Sequence, residues 1–565
     1  MKAEGWCGEG ALKRRLAGLL LALMSAFLLA GCDDNDRDSL PAARPSTGIN
    51  GHVTQEAVSV GGIMVRARAQ ANGVETTVFT DRAGRFHLAL NPGKYRVEAM
   101  GERHYAAKDV TVPEQAAVTL DIALAPDPGF LQRIASDRWM TLLPEGEMKR
   151  EFILNCASCH EIDAGRVLVN GVPRSDVEWE PTKCAAREKT DWLNAVELMR
   201  AIDDYNLLPP DFDDARYAAW LAQHLGTEQI KTLTPRPAPD PAAMAGIVIT
   251  EYPLPMDGSL PHDLVVGPDG RIWITAFFYD LIWALDPKTG AYETFKIRPD
   301  DAADWGQTRA LVFDTAGHLW IVLGGTHELV RLDPRDRSFN TYDVGMYAHS
   351  LALDAEGRIW INDYFAEKER IGVFDPKTET VRHIDVPSAN LSAAEGLPLP
   401  YGLQVDKAGR VYSTQLAANT LVLHDIASGQ SKLYQMPAAN SGPRRPAVGT
   451  DGMLWIPEWN TGYLTRFDPK SETFTRFAIG SSALGAYDAE VDPRSGEIWV
   501  TGALSASMFL FDPGTASTLE IPLPTNPAYT RHLAVDPKTG DLWSAYSSLP
   551  AAQPKVVRIE RRARQ

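Results

Sequence analysis

Apolar and polar positions change period twice along this chain before settling into a long repeat. From Thr47 to Leu124 they alternate, the signature of short strands buried on one face. Thr76-Thr77-Val78-Phe79 and Arg85-Phe86-His87-Leu88 flank Asp81-Arg82-Ala83-Gly84. This reads as strand, tight turn, strand in hairpin form, with Gly84 free to take a positive φ. Asn91-Pro92-Gly93 repeats the form ahead of Lys94-Tyr95-Arg96-Val97. From Gly129 to Gly226 the spacing becomes helical. Met148, Phe152 and Ile153 predict a helix over Glu145 to Asn155, and Tyr217, Trp220, Leu221 and His224 predict another over Asp213 to Leu225. Pro235, Pro237, Pro239 and Pro241 then make Lys231 to Ala245 a stiff, extended linker.

From Ile247 onward the chain repeats itself. Gly-x-Ile/Leu-Trp begins at Gly270, Gly317, Gly357, Gly452, Gly496 and Gly540, and a weaker copy, Gly409-Arg410-Val411-Tyr412, completes the series. The period is about 45 residues, that of a propeller blade of four strands. Asp-Pro turns at Asp286, Asp333, Asp375, Asp468 and Asp512 close the following hairpins. A blade has two apolar faces that only its neighbours can cover, so the Trp rings are expected between blades. The last repeat stops at Val556-Val557-Arg558-Ile559-Glu560, one strand short, while Ile249 to Leu254 precedes the first repeat with no blade of its own. That early strand is expected to complete a seventh blade and remove an exposed edge. The fold class is therefore multidomain and mainly β: a small β-sandwich over 47–126, an all-α domain over 127–231, a Pro-rich linker over 232–246 and a seven-bladed β-propeller over 247–562.

The first residues add a compartment. Lys13-Arg14-Arg15 precede an apolar run from Leu16 to Ala30, short for a spanning helix, so residues 1–31 read as an export signal and 32–46 as a polar tether. Leu29-Ala30-Gly31-Cys32 resembles a bacterial lipobox, which implies cleavage before Cys32 and lipid on its sulfur. The expected location is the periplasmic side of a bacterial membrane, with the membrane itself a partner through the lipid. A net charge of −17 argues against nucleic acid and suits an encounter with a basic redox protein.

The strongest chemical signal is Cys156-Ala157-Ser158-Cys159-His160. Two thiols at this spacing can form thioethers to haem vinyl groups, and the adjacent His can ligate the iron. A second CxxC, which a four-Cys zinc site would need, is missing. One covalent haem c is expected, held by Cys156, Cys159 and His160. The region around the motif resembles a class I cytochrome c, which implies a downstream Met as second axial ligand. Met199, in Trp192-Leu193-Asn194-Ala195-Val196-Glu197-Leu198-Met199, stands in the right order.

Two further resemblances cover the rest. Residues 47–126 resemble the carboxypeptidase regulatory-like domain, a family loosely grouped with carbohydrate-binding folds, and a spacer or docking role is expected. The repeats, with Tyr252-Pro253-Leu254-Pro255 ahead of Pro268-Asp269-Gly270-Arg271-Ile272-Trp273, resemble virginiamycin B lyases. Residues just before the innermost strand of each blade should ring one mouth: His262, Arg309, His349, Tyr401, Arg445, Tyr487 and His532. Loops after the Trp strands should add Asp363, Glu458, Trp459 and Tyr546. Such a mouth can bind a small anionic or metal-bound ligand, and a divalent metal is a candidate cofactor there. The lyase resemblance implies His and Glu working with magnesium on a lactone linkage. It places Glu458 at the family's glutamate, while Asn460 stands where the histidine is sought. The catalytic candidates are thus Glu458, His262, His349 and His532. The function expected is electron transfer by a haem c lipoprotein with a periplasmic redox partner, the propeller serving as ligand- or partner-binding module or as an oxidoreductase site. The alternative is a C–O lyase acting in the mouth.

If Met199 is the axial ligand, Met199→Ala abolishes the long-wavelength Met–iron band of the oxidised protein. An unchanged spectrum assigns the ligand elsewhere.

Overall fold

The computed structural model describes residues 47–157, 161–162, 164–169, 172–173, 196, 213–234, 236–299, 302, 304–389, 391, 397–547 and 554–562. Cys32, Cys159, His160 and Met199 lie outside these residues.

The Gly-x-φ-Trp repeats build the propeller. Six blades are separate antiparallel sheets of four strands, from Pro261–Val266 through Ser517–Pro522. Seven such sheets were expected. The remaining four strands, Thr530–Val535, Leu542–Tyr546, Lys555–Arg561 and Ile247–Pro253, also pair in antiparallel order, but inside a twelve-stranded sheet shared with the N-terminal domain. The early strand therefore meets the last one, from Ile247 opposite Arg561 to Pro253 opposite Lys555. Its other edge is covered by Glu75–Phe79, in the register Ile249 with Thr77. Each repeat aromatic packs against the blade that follows. Trp273 lies among Leu311, Leu319 and Ile321, and Trp320 among Ile359, Ile361 and Phe374. Trp543 lies among Leu264, Ile272 and Trp283 of the first blade, which closes the circle. The indole N–H groups of Trp320 and Trp360 donate to Asp314 and Asp354 at 2.9 and 2.8 Å. These carboxylates also cap the turns that precede the strands, so turn and core are tied together.

The N-terminal domain buries Ile49, Val53, Val65, Val97 and Ile122 between its strands. Its expected hairpin is not one. Glu75–Phe79 pairs with Met64–Ala69, whereas Arg85–Ala89 pairs with Gly48–Gln55. The turn is tight as anticipated, with Gly84 at φ 75° and Asp81 Oδ1 accepting from Ala83 and Arg85 N–H, but it passes the chain from one layer to the other. The alternating pattern cannot distinguish these outcomes, because both bury the same face.

The middle region contains the two expected helices, Glu147–Asn155 and Asp214–His224, the second capped by Asp213 accepting from Arg216 N–H at 2.9 Å. An all-α class is not what the described residues show, since Leu168–Val169 pairs with Val172–Pro173. The linker is pinned rather than free: Arg236 pairs with Asp137 of the helical region and with Glu520 of the propeller at 3.1 Å.

Where sandwich and propeller share a sheet, charge is buried. Glu75 accepts from Lys555 Nζ at 2.7 Å and lies 3.2 Å from Arg66, which also pairs with Glu98 at 2.6 Å. Glu251, fully buried, is 3.7 Å from Lys555. Burial alone would raise the Glu75 carboxyl, but Arg66 and Lys555 overcome it and hold it below the usual range. Burial raises Glu251. Removing one member of such a cluster costs about 3 kcal/mol or more. Glu75→Gln should therefore lower the unfolding midpoint at neutral pH. Because the folded value is depressed, that deficit is full above the unfolded carboxyl range and shrinks as pH falls through the folded value. Thermal scans of both proteins from pH 7 to pH 3 check this, and a pH-independent difference would show that the charge is not what stabilises the joint.

Candidate functional site

A recurring backbone irregularity builds the mouth. In five of the six separate blades, and at Thr530–Val535 in the shared sheet, the innermost strand slips register against its neighbour, between Pro261 and Leu264, Thr308 and Leu311, Ala348 and Leu351, Pro400 and Leu403, Ala486 and Ala489, and Thr530 and Leu533. A bulge re-aims side chains at that point, so two consecutive residues can turn toward the axis where a regular strand would offer one. In the remaining blade the inner strand is only Ala447–Val448, and Arg444 and Arg445 precede it.

The seven ring residues come together. His262 Nδ1 lies 2.6 Å from Asp263 Oδ1, and Arg309 Nη1 is 3.4 Å from His262 Nε2. A guanidinium only donates, so Nε2 accepts and Nδ1 carries the proton to Asp263. The His262 ring meets that of His349 edge-on at 5.6 Å, and His349 lies 4.1 Å from Tyr401. Nδ1 of His349 reaches the Tyr401 carbonyl at 3.0 Å and must donate, which leaves Nε2 as the acceptor of a neutral ring. The Tyr401 hydroxyl donates to that of Tyr487 and accepts from Arg444 at 3.0 Å. Arg445 donates to Asp263 Oδ2 at 2.5 Å. His532 stands 3.9 Å from Asp263 and 3.8 Å from Asp488, on a small cavity of about 50 Å³ that Glu490 also lines.

Burial sets the charges. It lowers His262 to about 3 against the pull of Asp263, and drives His349 well below its usual value with Arg309 and Arg445 adding to the effect. Burial alone would raise Asp263, but Arg445, His532 and His262 hold it well down. Asp488 is pushed up to about 7 by burial despite His532 and Arg445, and Glu490 to about 7 by burial alone. The mouth thus offers neutral imidazoles, phenols and fixed guanidiniums.

Four expected contributors are placed differently. Glu458 is fully buried inside its blade, with Arg476 Nη2 and Nε at 2.6 and 3.0 Å and the hydroxyls of Thr461 and Thr465 on its oxygens. Asp363 accepts from Tyr347 N–H at 3.1 Å and from Arg370 at 2.6 Å. Tyr546 packs in a blade core with Ile249 and Leu533. Trp459 does face the mouth, but as a joint: its indole N–H donates to the Ile153 carbonyl at 3.1 Å. Among the described residues no three His, Cys, Asp or Glu gather as a metal site.

That joint belongs to a larger contact. One apolar cluster contains Trp139, Phe152, Ile153, Ala157 and Leu221 from the helical region together with Tyr347, Tyr401, Trp459, Tyr487, Leu504 and Tyr529 from the propeller, with Cys156 packed against it. Glu161, fully buried, accepts from Ala528 and Tyr529 N–H at 3.0 Å each, and Asp137 N–H donates to Leu504 O at 2.8 Å. The helical region is seated on the ring of His, Arg and Tyr. One residue per blade was the sequence expectation, and it missed Asp263, Arg444, Asp488 and Arg531. The signal that could have found them is the consecutive polar pair, His262-Asp263, Arg444-Arg445 and Arg531-His532, in strands otherwise apolar.

Because the folded value of His262 is depressed, its contribution to stability is present above the unfolded value near 6.5 and declines toward the folded one. Nitrogen-15 spectra of histidine-labelled protein should show His262 as a neutral Nδ1–H ring from pH 8 to pH 5. A titration near 6.5 would mean that the ring is solvated.

Residues 48–125 match the family model of the carboxypeptidase regulatory-like domain. Among curated proteins no relative matches the chain. Among solved structures, a streptogramin B lyase is similar at 19% identity over 56% of this chain and 97% of that one, with a TM-score of 0.48. Virginiamycin B lyase from Staphylococcus aureus is similar at 17% identity over 56% and 99%, with a TM-score of 0.49, and hydrazine synthase from Kuenenia stuttgartiensis at 14% over 55% and 98%, with a TM-score of 0.44. The chain is thus a multidomain, mainly β protein in which a carboxypeptidase regulatory-like domain is joined to a β-propeller.

Proposed function

We propose that this chain is an exported haem c protein of electron transfer, lipid-anchored through Cys32 on the periplasmic side of the membrane, in which the propeller mouth recognises the molecule that exchanges electrons. We count the four propeller strands of the shared sheet as its seventh blade. One observation carries the reading: the helix Glu147–Asn155, which runs into Cys156, is docked on the mouth through Trp459, Tyr529 and the common apolar cluster. The Cys156 side chain is partly buried against the cluster that holds Phe152, Ala157 and the aromatic rings, surroundings that suit an apolar macrocycle. Cys156 and Cys159 would hold the haem, and His160 and Met199 its iron. When bound, haem supplies one-electron oxidation and reduction. The chain's own residues do the rest. The Trp459, Tyr487 and Tyr529 rings exclude water between the mouth and the helix. His349 Nε2 can accept a hydrogen bond from a ligand, and Arg309 and Arg444 orient negative charge.

Lyase chemistry is the less supported reading, because the carboxylate it needs at Glu458 is bound by Arg476.

Anaerobic addition of fractionated periplasmic metabolites to the oxidised full chain tests the proposal. Reduction without a second protein, at least tenfold slower in His349→Gln with an unchanged haem spectrum, is the expected result. Reduction that requires an added protein makes the mouth a docking platform for a redox partner. Purified protein without a pyridine haemochrome signal overturns the reading.

A further inference from the structure

Among the described residues, the mouth holds guanidiniums that no carboxylate pairs. Arg445 is matched by Asp263 at 2.5 Å. Arg309 and Arg444, 9% and 1% exposed, have no carboxylate within ion-pair distance among the described residues. Arg309 is held by the Tyr347 hydroxyl at 2.6 Å and lies over the rings of Phe277 and Tyr347, at 5.0 and 5.1 Å. Arg444 is held by the Tyr401 hydroxyl and stacks on Trp459 at 3.8 Å and Tyr487 at 4.5 Å. The Nε of each is buried without a hydrogen-bond partner. Ring contacts recover only part of what desolvating a cation costs, and neutral phenols leave the charge itself uncompensated.

Both guanidiniums act on the same wall. Arg309 lies over Tyr364 at 5.9 Å and Arg444 over Tyr401 at 4.8 Å, the two rings 5.7 Å apart, with His349 at 5.0 and 4.1 Å from them. We propose that Arg309 and Arg444 form a carboxylate site with aromatic walls, which takes an organic anion with a flat apolar body. The carboxylate can come from a free small molecule or from a propionate of the bound haem. Only the second source rests on the function proposed above. The planar fork of each guanidinium suits a carboxylate, and the stacked rings suit what it is attached to.

Calorimetric titration with benzoate and with its neutral isostere benzamide tests the site in the full chain, both haem-loaded and in the Cys156→Ala/Cys159→Ala form. At least tenfold tighter binding of benzoate, lost in Arg444→Gln and partly kept in Arg444→Lys, is expected. Preference for benzoate in both forms identifies a free carboxylate as the natural occupant. Preference only in the haem-free form identifies the propionate. No preference in either form overturns the proposal, and that comparison needs no substitution at Arg444. A wild-type chain without haem would overturn the electron-transfer reading while leaving the benzoate result standing.

Discussion

The burial of one aromatic side chain per blade against the next blade is the contact on which the rest depends. A four-stranded blade has two apolar faces and cannot cover either by itself. Trp273, Trp320, Trp360, Tyr412, Trp455 and Trp499 each cover the following blade, and Trp543 covers the first. Because the last contact returns to the beginning, the inner strands are held in a ring, and their ends meet at one mouth.

The bulges convert that ring into a chemical site. A regular strand alternates its side chains, so each inner strand would present one residue at its mouth end. The slipped register presents pairs, such as Asp263 beside His262, and in the blade with the short inner strand Arg444 and Arg445 stand just ahead of it. Two consequences follow. Asp263 neutralises Arg445 across the channel, while Arg309 and Arg444 have no carboxylate partner among the described residues. The imidazoles of His262 and His349, hemmed in by guanidiniums and rings, stay neutral, so the mouth combines fixed positive charge with available lone pairs.

Much of this was legible in the sequence and some was not, for physical reasons. Period, turn and aromatic recur locally, so the blades could be read from Gly270-Arg271-Ile272-Trp273 and its copies, and the strand around Ile249 from the missing fourth strand at Ile559. The ring residues followed from their place before the inner strands. The pairing of Glu75–Phe79 with Ile247–Pro253 has no local signature, since an edge strand looks the same whichever partner covers it. Likewise Gly84 announced a turn but not which layer the chain entered next. Glu458 was nominated by its place after a Trp strand and by resemblance, and Arg476, eighteen positions later, answers its charge inside the blade. The docking of the helical region through Trp459 was invisible, because a tryptophan after a strand reads as core whether the core is its own domain's or another's.

The pairing of Ile247–Pro253 with Lys555–Arg561 also imposes an order in time. Strand partners this far apart along the chain meet only after the intervening segment has been made and folded. As the chain emerges, the sandwich and the helix ending at Cys156 exist first, beside an unfinished arc of blades. The circle cannot close until Arg561 is available. The Cys156 side chain, partly buried in the finished molecule against the cluster that contains Trp459, therefore stays more open until the ring that covers it is complete.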